Sequence, residues 1–167
     1  GFKIVICSPF DKFVEKIKKN DFDYIPIKID RKSYNFFTNL KIFFSYLFIL
    51  YSEKPDYFMT FTIKPNIFGS LASLFFKKKI IIFNFVTGLG TFYFDNSIFK
   101  KIIIFLYKIA FTKSTNVFFQ NTYDMEYFIK NNILKKEKGI IIPGSGVDIN
   151  FFKFNKIIFK NKDDLIF

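Results

Sequence analysis

Short apolar runs alternate six times with segments of helical length along this chain, and some runs hold no polar residue at all: Ile80-Ile81-Ile82-Phe83 and Ile140-Ile141-Ile142. A strand with one face in water alternates apolar and polar side chains. A continuous run is what a strand buried on both faces needs. Parallel strands joined by crossover helices meet that condition. The pattern therefore predicts an α/β fold, a Rossmann-like parallel sheet flanked by helices.

Residues 2–7 read as a strand, Asp11 as the N-cap of a helix through 19 closed by Asn20, and 24–29 as a strand that Pro26 moves to an edge. Residues 35–54 have helical length. Thr38, Lys41, Ser45 and Ser52 share one narrow stripe of that helix and the rest is apolar. Pro55-Asp56 ends it. Strand 57–61, a helix opening at Pro65, strand 79–85, a helix from Ser97 to about 113, strand 116–119, helix 122–130 and strand 139–142 complete the series. The Lys/Asn-rich stretch around 151–162 predicts a boundary, with one domain over 1–152 and, over 153–167, a linker entering a further domain. The chain opens on Gly1 and closes on a strand-like run at 163–167, as a piece cut at both ends would.

Composition narrows the chemistry. The 167 residues suffice for a real core, and half are hydrophobic, 29 of them Phe, which excludes a disordered chain. There is no His, so the commonest general base is missing, and Ser-His-Asp, Cys-His and His-metal chemistry go with it. The lone Cys7 cannot form an internal disulfide, leaves no zinc-ligand spacing, and reads as a small core residue. The net charge is +12, and Arg31 is the single Arg among 26 basic residues. Heavy joint use of Lys, Phe, Ile and Asn fits an AT-rich coding bias. Nucleic-acid readers lean on Arg for bidentate base contacts, so no nucleic-acid partner is expected. An anionic membrane surface or a phosphate-bearing ligand asks only for positive charge. No apolar run reaches the roughly 18 residues of a spanning helix, and no signal peptide is visible.

In an open α/β sheet, ligands bind beyond the carboxyl ends of the strands. Four loops leave those ends. Thr62-Ile63-Lys64-Pro65-Asn66 sets a cation and an amide at a helix N-terminus, where orphan N–H groups favour an anion; alternatively Asn66 caps its own helix in a solvated loop. Val86-Thr87-Gly88-Leu89-Gly90 permits close backbone approach to a ligand. Tyr93 stands where the dinucleotide fingerprint needs its third glycine, so the nicotinamide signal is weak, and a plain tight turn accounts for the loop equally. Gln120-Asn121-Thr122 puts three polar side chains at the end of an apolar strand, although Thr122 alone reads as an N-cap. Pro143-Gly144-Ser145-Gly146-Val147-Asp148 offers successive N–H groups for an anion, or is a turn with Asp148 capping locally. On helix 97–113, Lys100, Lys101 and Lys108 lie within about 100° of one another, with Ile102, Phe105, Leu106 and Ile109 opposite. That is a solvated surface or a docking face for anionic lipid.

Phe61 to Ser70, Thr87 to Gly90, Phe119-Gln120-Asn121, and Ile142 to Asp148 with Phe152 behind it resemble, in this order and spacing, the N-terminal domain of family 4 glycosyltransferases. The likeness is strongest to the bacterial subgroup that transfers sugars to undecaprenyl-diphosphate-linked acceptors, and it runs from Phe2 to about Phe152. It implies the GT-B fold, two Rossmann-like domains facing a cleft, with this chain as the acceptor-side half lacking its first strand. It implies transfer with retained anomeric configuration from a nucleotide-sugar, a UDP-sugar first among donors, with no metal or other cofactor. Carried onto this sequence, Lys64, Asn66, Thr87, Gly88, Leu89 and Gly90 line the acceptor side, and Gln120 and Asn121 face the same cleft. Gly144, Ser145, Gly146 and Asp148 lie near the hinge and the donor diphosphate. The family's first strand would precede Gly1, its paired catalytic glutamates would follow Phe167, and a His frequent in its N-terminal domain is absent from this sequence. Catalytic residues are therefore expected outside the chain. The chain alone is expected to be inactive, and its open strand edges to make it poorly soluble.

The resemblance thus points to a hexosyl or N-acetylhexosaminyl transferase of cell-surface glycan synthesis. It would be cytoplasmic and peripheral to the inner face of the cytoplasmic membrane, with loop N–H groups and Lys stabilising the leaving diphosphate. Two rivals remain. A Rossmann enzyme that modifies nucleotide-sugars needs the full glycine fingerprint and a Tyr three residues before a Lys; Tyr51 and Lys54 fit, but at a helix end against Pro55. A non-catalytic basic module would dock on membranes whatever its cleft residues.

Overall fold

A computed structural model of the chain describes residues 1–20, 22–30, 35–89, 98–144 and 146–151. The expected boundary beyond 151, the cap at Ser97, and the site candidates Gly90 and Ser145 lie outside the described residues.

Strand β1 (Val5–Ser8) pairs in parallel with β2 (Asp23–Pro26), Cys7 opposite Ile25, and helix α1 (Val14–Lys19) joins them. Helix α2 (Phe36–Glu53) leads to β3 (Tyr57–Phe61). A π-helical turn, Pro65–Gly69, runs straight into α3 (Ser70–Ser73). Then come β4 (Ile81–Val86), α4 (Ile98–Ala110), β5 (Asn116–Phe119), α5 (Thr122–Lys130) and β6 (Gly139–Ile141). The last four strands form one parallel sheet in the order β3-β4-β5-β6; β1 and β2 are hydrogen-bonded as a separate pair. The α/β architecture with parallel strands is the expected one.

Local chemistry sets the helix ends. Asn35 caps α2, its Oδ1 accepting from the amides of Phe37 (2.8 Å) and Thr38 (3.3 Å). Lys54 closes it in the left-handed conformation (φ 46°), its amide donating to the Leu50 carbonyl, and Pro55 cannot continue the helix. Asp11 accepts from the Phe13 amide at 2.8 Å but stands three residues before α1 begins at Val14, so Phe13, not Asp11 as expected, takes the cap position.

The helices cover one face of the larger sheet. Val86, Val117 and Phe119 are buried there with Ile67, Tyr107, Ala110, Phe111 and Phe128. A second cluster packs α2 (Ile42, Tyr46, Ile49, Leu50) on Ile27 and Ala72. The alternate residues form the other face: Tyr57, Met59 and Phe61 of β3 are half exposed, and Phe61, Phe85 and Phe118 stack with ring centroids 4.5 and 4.7 Å apart.

A chain of polar side chains runs through the buried face. Ser114 Oγ donates to Asn84 Oδ1 (2.6 Å), and Asn84 Nδ2 donates to Thr60 Oγ1 and Ser70 Oγ (both 2.7 Å). Thr60 Oγ1 donates to Asn66 Oδ1 (2.6 Å), and Asn66 Nδ2 to the Phe85 carbonyl (2.9 Å). The Tyr107 phenol, its pKa pushed up by burial, meets the Asn66 side chain. Thr60, Asn66, Ser70, Asn84 and Ser114 are all buried. Unmatched polar groups are expensive in such surroundings, and here they are matched to one another. Gly69 lets the π-turn lie on β3: a Cβ there would stand 3.0 Å from the Phe58 ring and 3.3 Å from Thr60 Cγ2.

Cys7 is half-buried, and burial, helped by the Glu53 charge, pushes its thiol up to about 11. The thiolate is the reactive form. Alkylation of the folded chain at pH 8 is therefore expected to run about 100-fold slower than in denaturant. Mass spectrometry after timed iodoacetamide treatment measures it, and equal rates in both states would contradict the burial.

Candidate functional site

Two of the four loops are fastened together at the carboxyl end of the sheet. The Thr62 amide donates to the Phe85 carbonyl at 3.3 Å, the same oxygen that receives Asn66 Nδ2. The Asn66 amide donates back to the Thr62 carbonyl at 3.0 Å. Thr62 itself stands at φ 69°, a left-handed backbone that a β-branched residue rarely adopts. The bonds on either side hold it there, so the strain sits where the first loop meets the second. Nothing in the local sequence signals this, because a Thr is not the residue a left-handed turn selects.

Lys64 leaves the first loop and reaches across to two other segments. Its ammonium donates to the Asp30 carbonyl (2.5 Å) and to Asn39 Oδ1 of α2 (3.0 Å). Partial burial lowers its pKa, and the Asp30 charge works in the other direction. The cation is thus fixed between the end of the β2 loop, the first half of α2 and the β3 loop. In the second loop Thr87 is exposed and Gly88 stands at φ 145°, with no atom within 4 Å of where a Cβ would be. Gly88 therefore serves the backbone path rather than close packing.

The third and fourth loops also meet. The Ile142 amide donates to the Phe119 carbonyl at 2.9 Å, extending the β5–β6 ladder past β6. A Cβ on Gly144 (φ 84°) would stand 4.0 Å from Gln120 Cδ. Gly146 (φ 65°) follows, and Asp148 Oδ1 accepts from the amides of Asn150 (2.9 Å) and Phe151 (3.3 Å), which makes it a local turn cap.

Other candidates take structural positions. Asn66 is fully buried and Leu89 is a core residue, because strand alternation turns Thr60 inward and the π-turn lays Asn66 over it. Asn121, not Thr122, caps α5: its Oδ1 accepts from the Asp124 amide (2.8 Å) and its Nδ2 donates to the Asp124 carboxylate (3.0 Å). On α4, the face expected to be core is partly outside. Ile102 and Phe105 are exposed beside Lys101 and Lys108, while Ile103, Tyr107 and Ala110 are buried. Lys100 lies apart, over the Tyr127 ring at 5.7 Å. Among the described residues, no group of three or more His, Cys, Asp or Glu could hold a metal ion.

The groups left facing the carboxyl edge are therefore Thr87, Gly88 and Gln120, with Gly144 beside Gln120 and the anchored Lys64. They offer backbone N–H groups, one amide and one cation, a set suited to binding a polar or anionic ligand and lacking an acid–base pair.

Comparison with known proteins gives this wall a setting. A solved structure of MurG from Acinetobacter baumannii superposes on 86% of this chain and 36% of its own, with a TM-score of 0.50 and 16% identity, a likeness of fold. The N,N'-diacetylbacillosaminyl-diphospho-undecaprenol alpha-1,3-N-acetylgalactosaminyltransferase of Campylobacter jejuni is 29% identical over 154 residues, 90% of this chain. The chain spans about 40% of that relative's length. The model of the glycosyl transferase 4-like family matches residues 1–121, a span holding the first two loops and Gln120-Asn121 of the third. The chain belongs to the glycosyl transferase 4-like family.

Proposed function

We propose that the complete protein transfers a sugar, with retention of configuration, from a nucleotide-sugar to a saccharide carried on a polyprenyl diphosphate. This chain supplies the acceptor-side wall of the cleft. The observation that carries the reading is the match over 90% of the chain to a Campylobacter transferase whose acceptor is a diphospho-undecaprenol saccharide. The edge described above fits it: loop N–H groups around Gly88 and Gly144 and the Gln120 amide are donors for sugar hydroxyls and diphosphate oxygens. Lys64 adds positive charge at the same edge. The donor is a UDP-sugar, the reaction needs no metal, and the work is done at the inner face of the cytoplasmic membrane.

The test uses the complete protein with radiolabelled UDP-N-acetylhexosamines and UDP-hexoses and a short polyprenyl-diphosphate disaccharide. Label is expected to move into the butanol-extractable lipid fraction, with an α linkage by NMR from an α-configured donor, and to do so in EDTA. A β linkage would overturn retention, loss of transfer in EDTA would overturn metal independence, and release of free sugar alone would overturn the acceptor class.

A further inference from the structure

The carboxyl edge of the sheet carries a residue that no sequence pattern singles out. Thr62 is exposed, stands at φ 69°, and follows directly on the last residue of β3. A β-branched side chain is costly in the left-handed region, and glycine would hold the same turn without that cost. The fold thus keeps, at the end of a strand, a strain that one substitution would remove. Bonds on both sides hold it. The Thr62 amide and Asn66 Nδ2 share the Phe85 carbonyl, and the Asn66 amide returns to the Thr62 carbonyl. Asn66 is itself fixed by Thr60 Oγ1 at 2.6 Å.

The Thr62 hydroxyl is also left over. Ser45, Ser52, Ser73 and Thr112 turn their hydroxyls onto carbonyls three or four residues back, at 2.6 to 3.1 Å. Thr60, Ser70 and Ser114 are matched through Asn84. Among the described residues, the hydroxyls of Thr62 and Thr87 have no such partner. The two are neighbours, because Phe61 pairs with Phe85 and both lie just past that step. Val86 pairs with Phe119, which sets Gln120 beside Thr87. Thr62, Thr87 and Gln120 therefore make a neutral polar row across the carboxyl ends of β3, β4 and β5. The cation of the first loop is engaged elsewhere, since Lys64 donates to the Asp30 carbonyl and to Asn39 Oδ1. Hydroxyls and an amide both donate and accept, which suits a sugar hydroxyl. A phosphate is better met by cations and N–H groups.

We propose that Thr62 is a specificity-determining residue of the acceptor wall: its hydroxyl, held beside Thr87 by the clamped left-handed turn, binds a ring hydroxyl of the acceptor saccharide. The assignment rests on the transferase reading and names the part of the acceptor that this row meets. A glycine at position 62 would keep the turn, relieve the strain and lose the contact. A site that bonds a substrate hydroxyl rejects an analogue lacking it, whereas an apolar pocket discriminates weakly. Thr62 thus bears on which saccharide is accepted, while the backbone N–H groups around Gly88 and Gly144 serve any polar ligand.

Variants of the complete protein separate hydroxyl, strain and fold. Thr62→Val keeps the β-branched shape and the strained backbone but loses the hydroxyl. Its KM for a short polyprenyl-diphosphate disaccharide is expected to rise about tenfold, with kcat and melting temperature unchanged. Thr62→Ser keeps the hydroxyl and is expected to stay within about threefold of the parent. Thr62→Gly removes hydroxyl and strain together, so its melting temperature is expected to rise by about 3 °C while KM rises about tenfold. Among acceptor analogues each lacking one ring hydroxyl, one is expected to react about tenfold more slowly with the parent and no more slowly still with Thr62→Val, because the same bond is already gone. Calorimetric titration with the disaccharide reads the contact without turnover. A parent that binds the saccharide but transfers nothing removes the transferase reading, and about tenfold weaker binding by Thr62→Val then still supports the assignment. The assignment is overturned if the parent binds no such saccharide, or if Thr62→Val binds like the parent or loses affinity only in step with its melting temperature. It is equally overturned if Thr62→Gly raises melting temperature and acceptor affinity together, or if Thr62→Val loses the same factor with every analogue.

Discussion

Replacing Asn84 by Leu should destabilise the chain by about 4 kcal/mol and lower its melting temperature by about 10 °C. The side chain is fully buried and bonded to three others, Thr60, Ser70 and Ser114. Removing it strands the Ser114 hydroxyl without an acceptor and takes a donor from Thr60 and Ser70. Each buried group left so costs about 1–3 kcal/mol. The second arm separates this cause from mere packing. Adding Ser70→Ala and Ser114→Ala to Asn84→Leu removes two of the stranded hydroxyls while leaving the Thr60 bond to Asn66 in place, and most of the loss is expected to return. Urea denaturation followed by circular dichroism measures both variants. A single-variant loss below about 1 kcal/mol, or no recovery in the triple variant, would show that the bonds are not what holds this layer.

Gly88→Val in the complete protein should reduce transfer to the lipid-linked acceptor about 100-fold with little effect on folding. At φ 145° a β-branched side chain is strained however much space surrounds it, so the loop must move. The space is open, with no atom within 4 Å of the Cβ position, so nothing in the core is disturbed. The neighbouring loop is clamped separately by the two bonds to the Phe85 carbonyl and stays in place. The expected pattern is a fall in kcat/KM for the acceptor with a near-constant melting temperature. Unchanged transfer would remove the second loop from the acceptor wall. A melting temperature that falls in step with activity would show that Gly88 serves the fold instead.

The elements were legible where one residue type decides a boundary. Asn35 and Pro55 delimit α2, and the strands at Tyr57–Phe61 and Asn116–Phe119 and the helix Thr122–Lys130 fall where the apolar runs and turn residues place them. β4 begins at Ile81, two residues later than the expected start at 79, because the Ile81 amide makes the first bond, to the Asp56 carbonyl. The faces of α2 and α4 were not legible. Periodicity identifies a core side by contrast with a polar side, and a helix such as Phe36–Glu53, apolar nearly all round, offers little contrast. The single-sheet expectation also missed the separate pairing of β1 with β2, which depends on long-range contacts.

The site was legible as a set of loops and not as a set of side chains. Gly88 and Gly144 take the positive φ that their residue type allows, and Gln120 meets Gly144. Asn66, Asn121 and Leu89 look like cleft residues in a linear reading, since each is next to a turn. Their actual directions follow from partners that are distant in sequence or hidden in helix geometry: Thr60 for Asn66, the Asp124 amide for Asn121, the α4 core for Leu89. A hint was present in Thr60 and Asn84, each a polar residue in an otherwise apolar strand, a pattern that marks a partner across the sheet.

The stacked rings of Phe61, Phe85 and Phe118 bear on how the chain finds its register. They make the open face of the sheet nearly as apolar as the covered one, so hydrophobicity alone cannot tell which set of alternate side chains belongs beneath the helices. A slip of one residue in β4 would exchange Phe83 and Phe85 for Asn84 and Val86, and would lose little apolar burial in doing so. It would also carry the Asn84 amide away from Thr60, Ser70 and Ser114. Among competing pairings of similar greasiness, a handful of amide and hydroxyl contacts singles out the native alignment, and the folding chain discards the others for want of them.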